Sequence, residues 1–316
     1  MAELRDDPLT GRVALLTPGR AARPFTVETA HSSAPASDPV VDCPFCPGQE
    51  HETPPELYRV GDGAPDTPGW RVRVVPNLYP IVNPVTGGHG IDGLHEVVVL
   101  SPQHHHPFER VSDDQAFELI ATLRDRSRQH RSYAHVQPIL NQGKAAGASI
   151  AHPHAQLVAL DVVPPAVVSA VDRFTSSGID LFVTDAGAAV AHELDVLHIG
   201  QVQAWCPFAS TIPFEVRLGA LDAGPDFAGA TDEQLHDVTL ALRQVLSAVA
   251  ATLGRPAYNV VFHTAPAGTA HHWWLEVVPR TTVTAGFELA TGLSVNVTDP
   301  NDAASALRAQ LTGSRR

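Results

Sequence analysis

The first half of the chain carries short apolar runs broken by glycine and proline, a pattern that predicts strands more often than helices. A turn at Asp7-Pro8-Leu9-Thr10-Gly11 precedes a strand-like Val13-Ala14-Leu15-Leu16, inside a first 40 residues rich in Pro, Ala and Arg. Residues 70–75 and 96–100 read as strands, with Gly/Pro-rich loops over 61–69 and 84–93. At Ser112-Asp113-Asp114-Gln115 the pattern changes. Ser112 suits an N-cap, two acids fill the first turn and Gln115 stands at the capping-box position. A helix is expected from there to about Arg131, with Phe117, Ile120 and Leu123 on one face. A strand over 136–140, a Gly/Ala loop over 141–151 and a strand over 152–160 complete the unit.

The same order returns. Thr231-Asp232-Glu233-Gln234 repeats the capping box 119 positions after Ser112, and a helix to about Leu253, a strand over 259–263, a Gly/Ala loop and a strand over 271–276 follow. The same offset carries His152 onto His271, and Cys206-Pro207-Phe208-Ala209 echoes Cys43-Pro44-Phe45-Cys46. Self-similarity at so long a period points to a duplicated unit.

Composition narrows the function. With 316 residues the chain is long enough for two units with their own cores, and 44% hydrophobic against 17% charged residues excludes wholesale disorder. No apolar run approaches the ~18–20 residues of a membrane span, and the N-terminus lacks a signal-like apolar stretch, so a cytoplasmic protein is expected. A formal charge of −13 disfavours nucleic acid. An anionic small molecule stays open if positive charge is local, and Arg outnumbers Lys144, the one lysine. Three cysteines cannot pair completely. Cys43-Pro44-Phe45-Cys46 therefore reads as metal or redox chemistry, and since no βαβ pattern follows it, zinc-knuckle spacing is favoured over a dithiol.

The densest chemistry lies at Asn141-Gln142-Gly143-Lys144-Ala145-Ala146-Gly147-Ala148-Ser149-Ile150-Ala151-His152-Pro153-His154-Ala155-Gln156. On a strand, positions 152, 154 and 156 point to one face, beside a loop whose backbone N–H groups suit phosphate oxygens. This stretch resembles the His-x-His-x-Gln signature of the galactose-1-phosphate uridylyltransferase family, in the histidine-triad superfamily, down to Asn141, the Gly-x-Ser of 147–149 and Pro153. The opening Asp7 to Arg12 and Pro18 to Pro24, Val75-Pro76-Asn77-Leu78-Tyr79-Pro80, His95-Glu96-Val97, Ser101-Pro102-Gln103-His104 and Ala285-Gly286-Phe287-Glu288 fit the same family, so the resemblance spans most of the chain.

The resemblance implies an α+β fold of two tandem histidine-triad-like halves, each an antiparallel sheet with packed helices. Residues 1–165 would be the catalytic half and 166–316 a degenerate repeat. It implies that His154 attacks the α-phosphorus of a nucleoside diphosphate sugar such as UDP-glucose, that sugar 1-phosphate leaves, and that a second sugar 1-phosphate takes the nucleotide. Ser149 and Gln156 would stabilise the phosphoryl charge. Hydrolases of the superfamily carry a third histidine where Gln156 stands; an amide donates no catalytic proton, so transfer or phosphorolysis is favoured. Zinc would be held by Cys43, Cys46, His104 and His152, with His105 and His106 as neighbouring alternatives to His104. Arg20, Arg23, Phe45, Asn77 and Asn141 match nucleotide-binding positions, and Phe287 and Glu288 match hexose contacts. Surface, packing or turn roles remain open for these residues. A homodimer is implied.

Departures from the pattern sharpen the picture. Cys206-Pro207-Phe208-Ala209 lacks the second thiol, His271-His272-Trp273 replaces His-Pro-His, and Glu276 and Val278 stand where further histidines would complete a second metal site with His263. That second site is not expected; His271, His272 and Trp274 would line the core or the cleft. The strand over 273–280, and Ala148 where uridylyltransferases usually carry Cys, look closer to the branch containing ADP-glucose phosphorylases. Base and sugar stay open, with inorganic phosphate as an alternative acceptor and a nucleotide-sugar binding protein without turnover as a third reading.

Overall fold

The computed structural model describes residues 2–22, 43–84 and 90–313. In chain order its elements are β1 (Glu3–Asp6), β2 (Val13–Leu16), β3 (Tyr58–Gly61), β4 (Trp70–Pro76), β5 (Gly93–Val99), α1 (Asp113–Gln129), β6 (His135–Gln142) and β7 (His154–Leu160). There follow α2 (Pro165–Ser177), α3 (Leu181–Ala191), β8 (Asp195–Ile199), β9 (Val202–Trp205), β10 (Val216–Ala220) and α4 (Asp232–Leu253). The last elements are β11 (Tyr258–His263), β12 (Trp274–Pro279), α5 (Gly286–Thr291), β13 (Ser294–Asn296) and α6 (Pro300–Gly313).

Ten strands form one sheet in the order β3-β4-β5-β7-β6-β11-β12-β10-β9-β8, antiparallel at every pairing. From the β6–β11 seam outward, each half runs through the same sequence of strands. The duplication is therefore real, and the two copies close on each other as one sheet. The hairpin β1–β2 takes β13 in parallel to make a separate three-stranded sheet.

The faces of the large sheet divide the work. Leu140 and Ala155 of the first half and Val260, Leu275 and Val277 of the second pack under α1 and α4 in one core, with Ile120, Leu123, Leu242 and Leu246 fully buried. On the opposite face, the first half carries only a small cluster of Cys43, Phe45, Cys46, Val75, Val97 and Val99. In the second half α2 and α3 cover that face, seating Phe174 and Phe182 with Leu9, Trp205 and Trp274. Among the described residues, this face carries a small apolar cluster in the first half and a second core in the other.

Local chemistry explains where expectation and structure part. Ser112 caps α1 by accepting from the Gln115 N–H at 3.2 Å, but the reciprocal half of the capping box is missing. The Gln115 amide donates instead to the carbonyls of Arg71 and Leu100, tying α1 to the sheet. The second helix does have the full box between Thr231 and Gln234. Phe117 is only half-buried, while Leu119 takes a core place. β7 starts at His154 because Pro153 has no N–H for the ladder. The repeat also gains one residue: His152 corresponds in space to His272, not His271, as the carbonyl of Ser101 accepts from His152 and that of Ala220 from His272.

Leu242 on α4 sits in the shared core with no exposure. Leu242→Ala is expected to lower the unfolding free energy by about 2–5 kcal/mol, read from chemical denaturation.

Candidate active site and metal centre

Four side chains from three separate segments of the first half converge at one point. The ligand atoms of Cys43, Cys46, His104 and His152 all lie within 4.8 Å of one another. Cys46 Sγ is 3.3 Å from His104 Nδ1 and 3.6 Å from His152 Nδ1, and Cys43 Sγ is 3.7 Å from His152 Nδ1. A tetrahedral zinc with ordinary Zn–S and Zn–N bonds would set sulfur and nitrogen ligands about 3.6 Å apart. The donor set fits such an ion. His152 is fully buried, and its Nε2 faces the Ser101 carbonyl at 2.7 Å, so that nitrogen carries the proton and Nδ1 is turned to the thiols. Burial pushes the His152 imidazole down to about 4, and burial together with the neighbouring Cys43 pushes the Cys46 thiol up to about 11. A cation bound here would displace the Cys46 proton. His104 is the ring that joins the cluster; His105 packs edge-on against it, and both His105 and His106 are exposed.

From this cluster the backbone leads directly to His154. The carbonyl of His152 lies 2.8 Å from His154 Nδ1, which therefore donates to it and leaves the Nε2 lone pair available. His154 is 8% exposed, and burial holds its imidazole below the usual histidine value. Phe45, from the Cys43–Cys46 knuckle, sets its ring edge against His154 with centroids 5.3 Å apart. Gln156 follows on the same face of β7, with Oε1 at 2.8 Å from Nε2 of His95 on the paired strand β5. The loop between β6 and β7 turns at Gly143, where φ is +83° and an added Cβ would meet Ala257 at 3.0 Å, so glycine is required. Ser149 lies exposed on this loop.

The family model described as the N-terminal domain of galactose-1-phosphate uridyl transferase matches residues 88–164. ADP-glucose phosphorylase of Arabidopsis thaliana is 33% identical over 332 aligned positions, covering 97% of this chain and 92% of its own. The chain belongs to the galactose-1-phosphate uridylyltransferase family. Within this family, the solved structure of an ADP-glucose phosphorylase from Arabidopsis thaliana with bound ADP-glucose matches with a TM-score of 0.83 at 31% identity, over 98% of each chain. Galactose-1-phosphate uridylyltransferase of Streptomyces lividans is 25% identical over 72% of this chain and 59% of its own. A solved uridylyltransferase matches over the full length of both chains at 25% identity and a TM-score of 0.75.

The other positions singled out by resemblance to the uridylyltransferase family are scattered. Asn77 follows β4 with its amide 3.2 Å from His95 Nε2 and its oxygen accepting from the Tyr79 N–H. Asn141 closes the loop: its oxygen accepts from Asn259 across the seam, and Asn259 also donates to the Ala146 carbonyl. Arg20 is exposed, and Arg23 lies outside the described residues. Phe287 is exposed on α5, and the Glu288 carboxylate accepts from the Ala285 N–H. No described contact joins either to His154. In the sequence His95 stands out only as part of a stretch that fits the family; its contact with Gln156, the ladder partner of Val97, depends on the β5–β7 register, which no local signal reveals.

The second half departs from the family pattern, and helices α2 and α3 cover its sheet face. With the one-residue insertion, Trp274 stands at the place of His154 and Glu276 at that of Gln156. Trp274 is stacked on His263 at 4.5 Å and buried against Phe174 and Phe182. His272 gives its Nδ1 to the Asp180 carboxylate, the N-cap of α3, instead of a metal. Burial alone would raise the Glu276 carboxyl, but Arg12 and His263 hold it well below the usual carboxylate range. Beside it, burial and Glu276 push Glu215 up to about 8. Cys206 is fully buried. Among the described residues the Cys43–His152 cluster is the one grouping of metal-ligating side chains.

Removing one thiol tests the metal centre. Cys43→Ser is expected to weaken metal retention by more than the ~10–100-fold typical of outer-sphere losses; elemental analysis of the purified variant reads it, and an undiminished metal content would remove Cys43 from the ligand set.

Proposed function

We propose that the protein transfers a nucleoside monophosphate from a nucleoside diphosphate sugar, by way of His154, to a phosphate acceptor. The observation that carries this is the His154 imidazole, fixed through Nδ1 by the His152 carbonyl with Nε2 free, at the end of a glycine-rich loop. In the transfer, Nε2 bonds to the α-phosphorus as the bond to the departing sugar 1-phosphate breaks. The acceptor phosphate then attacks the same phosphorus and frees the imidazole. A sugar phosphate leaves as an anion whose second pKa is about 6, so no acid is needed and the amide of Gln156 suffices. Ser149, Asn77, Phe45, Asn141 and the arginines Arg20 and Arg23 are proposed around the nucleotide, and Phe287 and Glu288 around the hexose. Zinc is the metal the donor set favours, in a structural role: when bound it would fix Cys43, Cys46, His104 and His152.

ADP-glucose with inorganic phosphate is the preferred substrate pair, supported by 33% identity over 97% of the chain to the Arabidopsis phosphorylase. A UDP-glucose-dependent uridylyl transfer to a sugar 1-phosphate is the second reading, supported by the full-length match to a uridylyltransferase. We take 1–165 as the half that works and 166–316 as its support. A homodimer is supported by the exposed Leu78, Tyr79 and Ile81 beside the site and Phe287 and Leu289 on α5. A reducing, cytoplasmic setting is supported by three free cysteines. No helix among the described residues is long and apolar enough to cross a membrane.

Incubation with ADP-glucose labelled in the α-phosphate is expected to leave an acid-labile label on His154, discharged as ADP by phosphate; UDP-glucose discharged by hexose 1-phosphate would select the second reading. His154→Ala should retain no label, and a wild-type protein that takes none from either donor would refute nucleotidyl transfer. Because burial depresses the His154 pKa, its neutral form persists as pH falls past 6.5. Adduct formation in single turnovers should therefore decline only below pH 6.5 on its acid limb.

A further inference from the structure

We propose that His95 is a positioning residue: its Nε2–H grips the carbonyl oxygen of the Gln156 amide, so that the amide N–H₂ is aimed at the phosphoryl group. The inference rests on the function proposed above and goes deeper into the same site.

The hydrogen-bond inventory determines the orientation. The backbone N–H of Ile81 lies 3.2 Å from His95 Nδ1. A backbone amide can only donate, so Nδ1 must be the unprotonated nitrogen and Nε2 the protonated one. Nε2–H then needs an acceptor, and two amides are near. Asn77 has already turned its oxygen to the Tyr79 N–H at 2.9 Å, which leaves its nitrogen toward His95. Gln156 Oε1, at 2.8 Å, is therefore the acceptor. Flipping the Gln156 amide would set N–H₂ against N–H, donor against donor. The opposite tautomer would set Nδ1–H against the Ile81 N–H and a ring lone pair against Gln156 Oε1. This arrangement satisfies the Ile81 and Gln156 contacts, and the Asn77 amide nitrogen at 3.2 Å is then a neighbour of Nε2 and not its partner.

The surroundings keep that arrangement in place. His95 is 7% exposed, and burial lowers its pKa, keeping the ring neutral. Gln156 and His154 are two residues apart on one face of β7, about 7 Å along the strand. An amide with its oxygen held on the β5 side presents its two N–H donors to a group attached at His154. A freely rotating Gln156 would spend part of its time offering an oxygen to an anionic phosphoryl group. The chain of contacts begins on the loop carrying Asn77 and Ile81, so a nucleotide seated there would bear on Gln156 through one imidazole.

A double-mutant cycle and ¹⁵N NMR of histidine test this together. In the wild-type protein the His95 resonances should show Nδ1 unprotonated and Nε2 protonated; the reverse tautomer overturns the inference. This spectrum is read without turnover, so it stands apart from failure of His154 to take label, which sinks the proposed function instead. In the labelling half-reaction, His95→Ala is expected to slow adduct formation by roughly 10- to 100-fold with donor KM little changed, no more than the ~10²–10³-fold of losing a preorganised donor outright. Gln156→Ala should cost more, and adding His95→Ala to it should cost nothing further. His95→Gln, which can accept from Ile81 and donate to Gln156, should restore the rate to within about threefold. Full additivity of the two alanine variants, or a His95→Gln enzyme as slow as His95→Ala with metal content intact, would overturn the assignment.

Discussion

The bond from His154 Nδ1–H to the carbonyl of His152 is the contact on which the site turns. As a single neutral hydrogen bond it contributes about 0.5–1.5 kcal/mol to stability, a small part of what holds the fold. Its importance lies in what it decides: which ring nitrogen keeps a lone pair. The rest of the first half arranges that carbonyl. The Cys43–Cys46 knuckle and His104 converge on the His152 ring, and the Ser101 carbonyl fixes the other side of the ring. With both edges of His152 held, its backbone carbonyl has one direction to point. A metal held by this cluster would bear on His154 through the one residue between it and His152.

Much of this was legible in the sequence because it is local. The knuckle is four consecutive residues, the proposed nucleophile and its holder are separated by one, and the loop glycines announce themselves by type. The duplication could be read from two cap sequences, one of which keeps both halves of its box. What lay beyond reach depends on register and on segments far apart in the chain. His95 meets Gln156 only because β5 pairs with β7 in one particular alignment. Gln115 leaves its box for two carbonyls of the sheet, which no helix propensity would foretell. The one-residue insertion before His272 shows only when Ala220 is seen in the place of Ser101. The segment between β7 and β8 carries no motif, yet its two helices cover the sheet face of the second half.

On the second half, Trp274 and Glu276 occupy the sheet face that in the first half carries His154 and Gln156. Aromatic rings from α2 and α3 cover part of it. The remaining charge is balanced internally: Arg12, from the turn after β1, reaches Glu215 and Glu276, while Arg217 bridges Asp7 and Asp185. Losing one member of such a buried network strands the others, and so the N-terminal hairpin has become a structural component of the second half.

The seam between β6 and β11 bears on how the chain could be divided. Asn259, which belongs to the second half, holds both Asn141 and the turn at Ala146 in the loop before His154. A first half expressed by itself would keep His154, Gln156 and the Cys43–Cys46–His104–His152 cluster, but not Phe287 and Glu288. It would also lack the donor that closes its loop, and β6 would become an open edge ready to pair with another chain. The second half therefore caps the sheet of the first as a permanently bound partner.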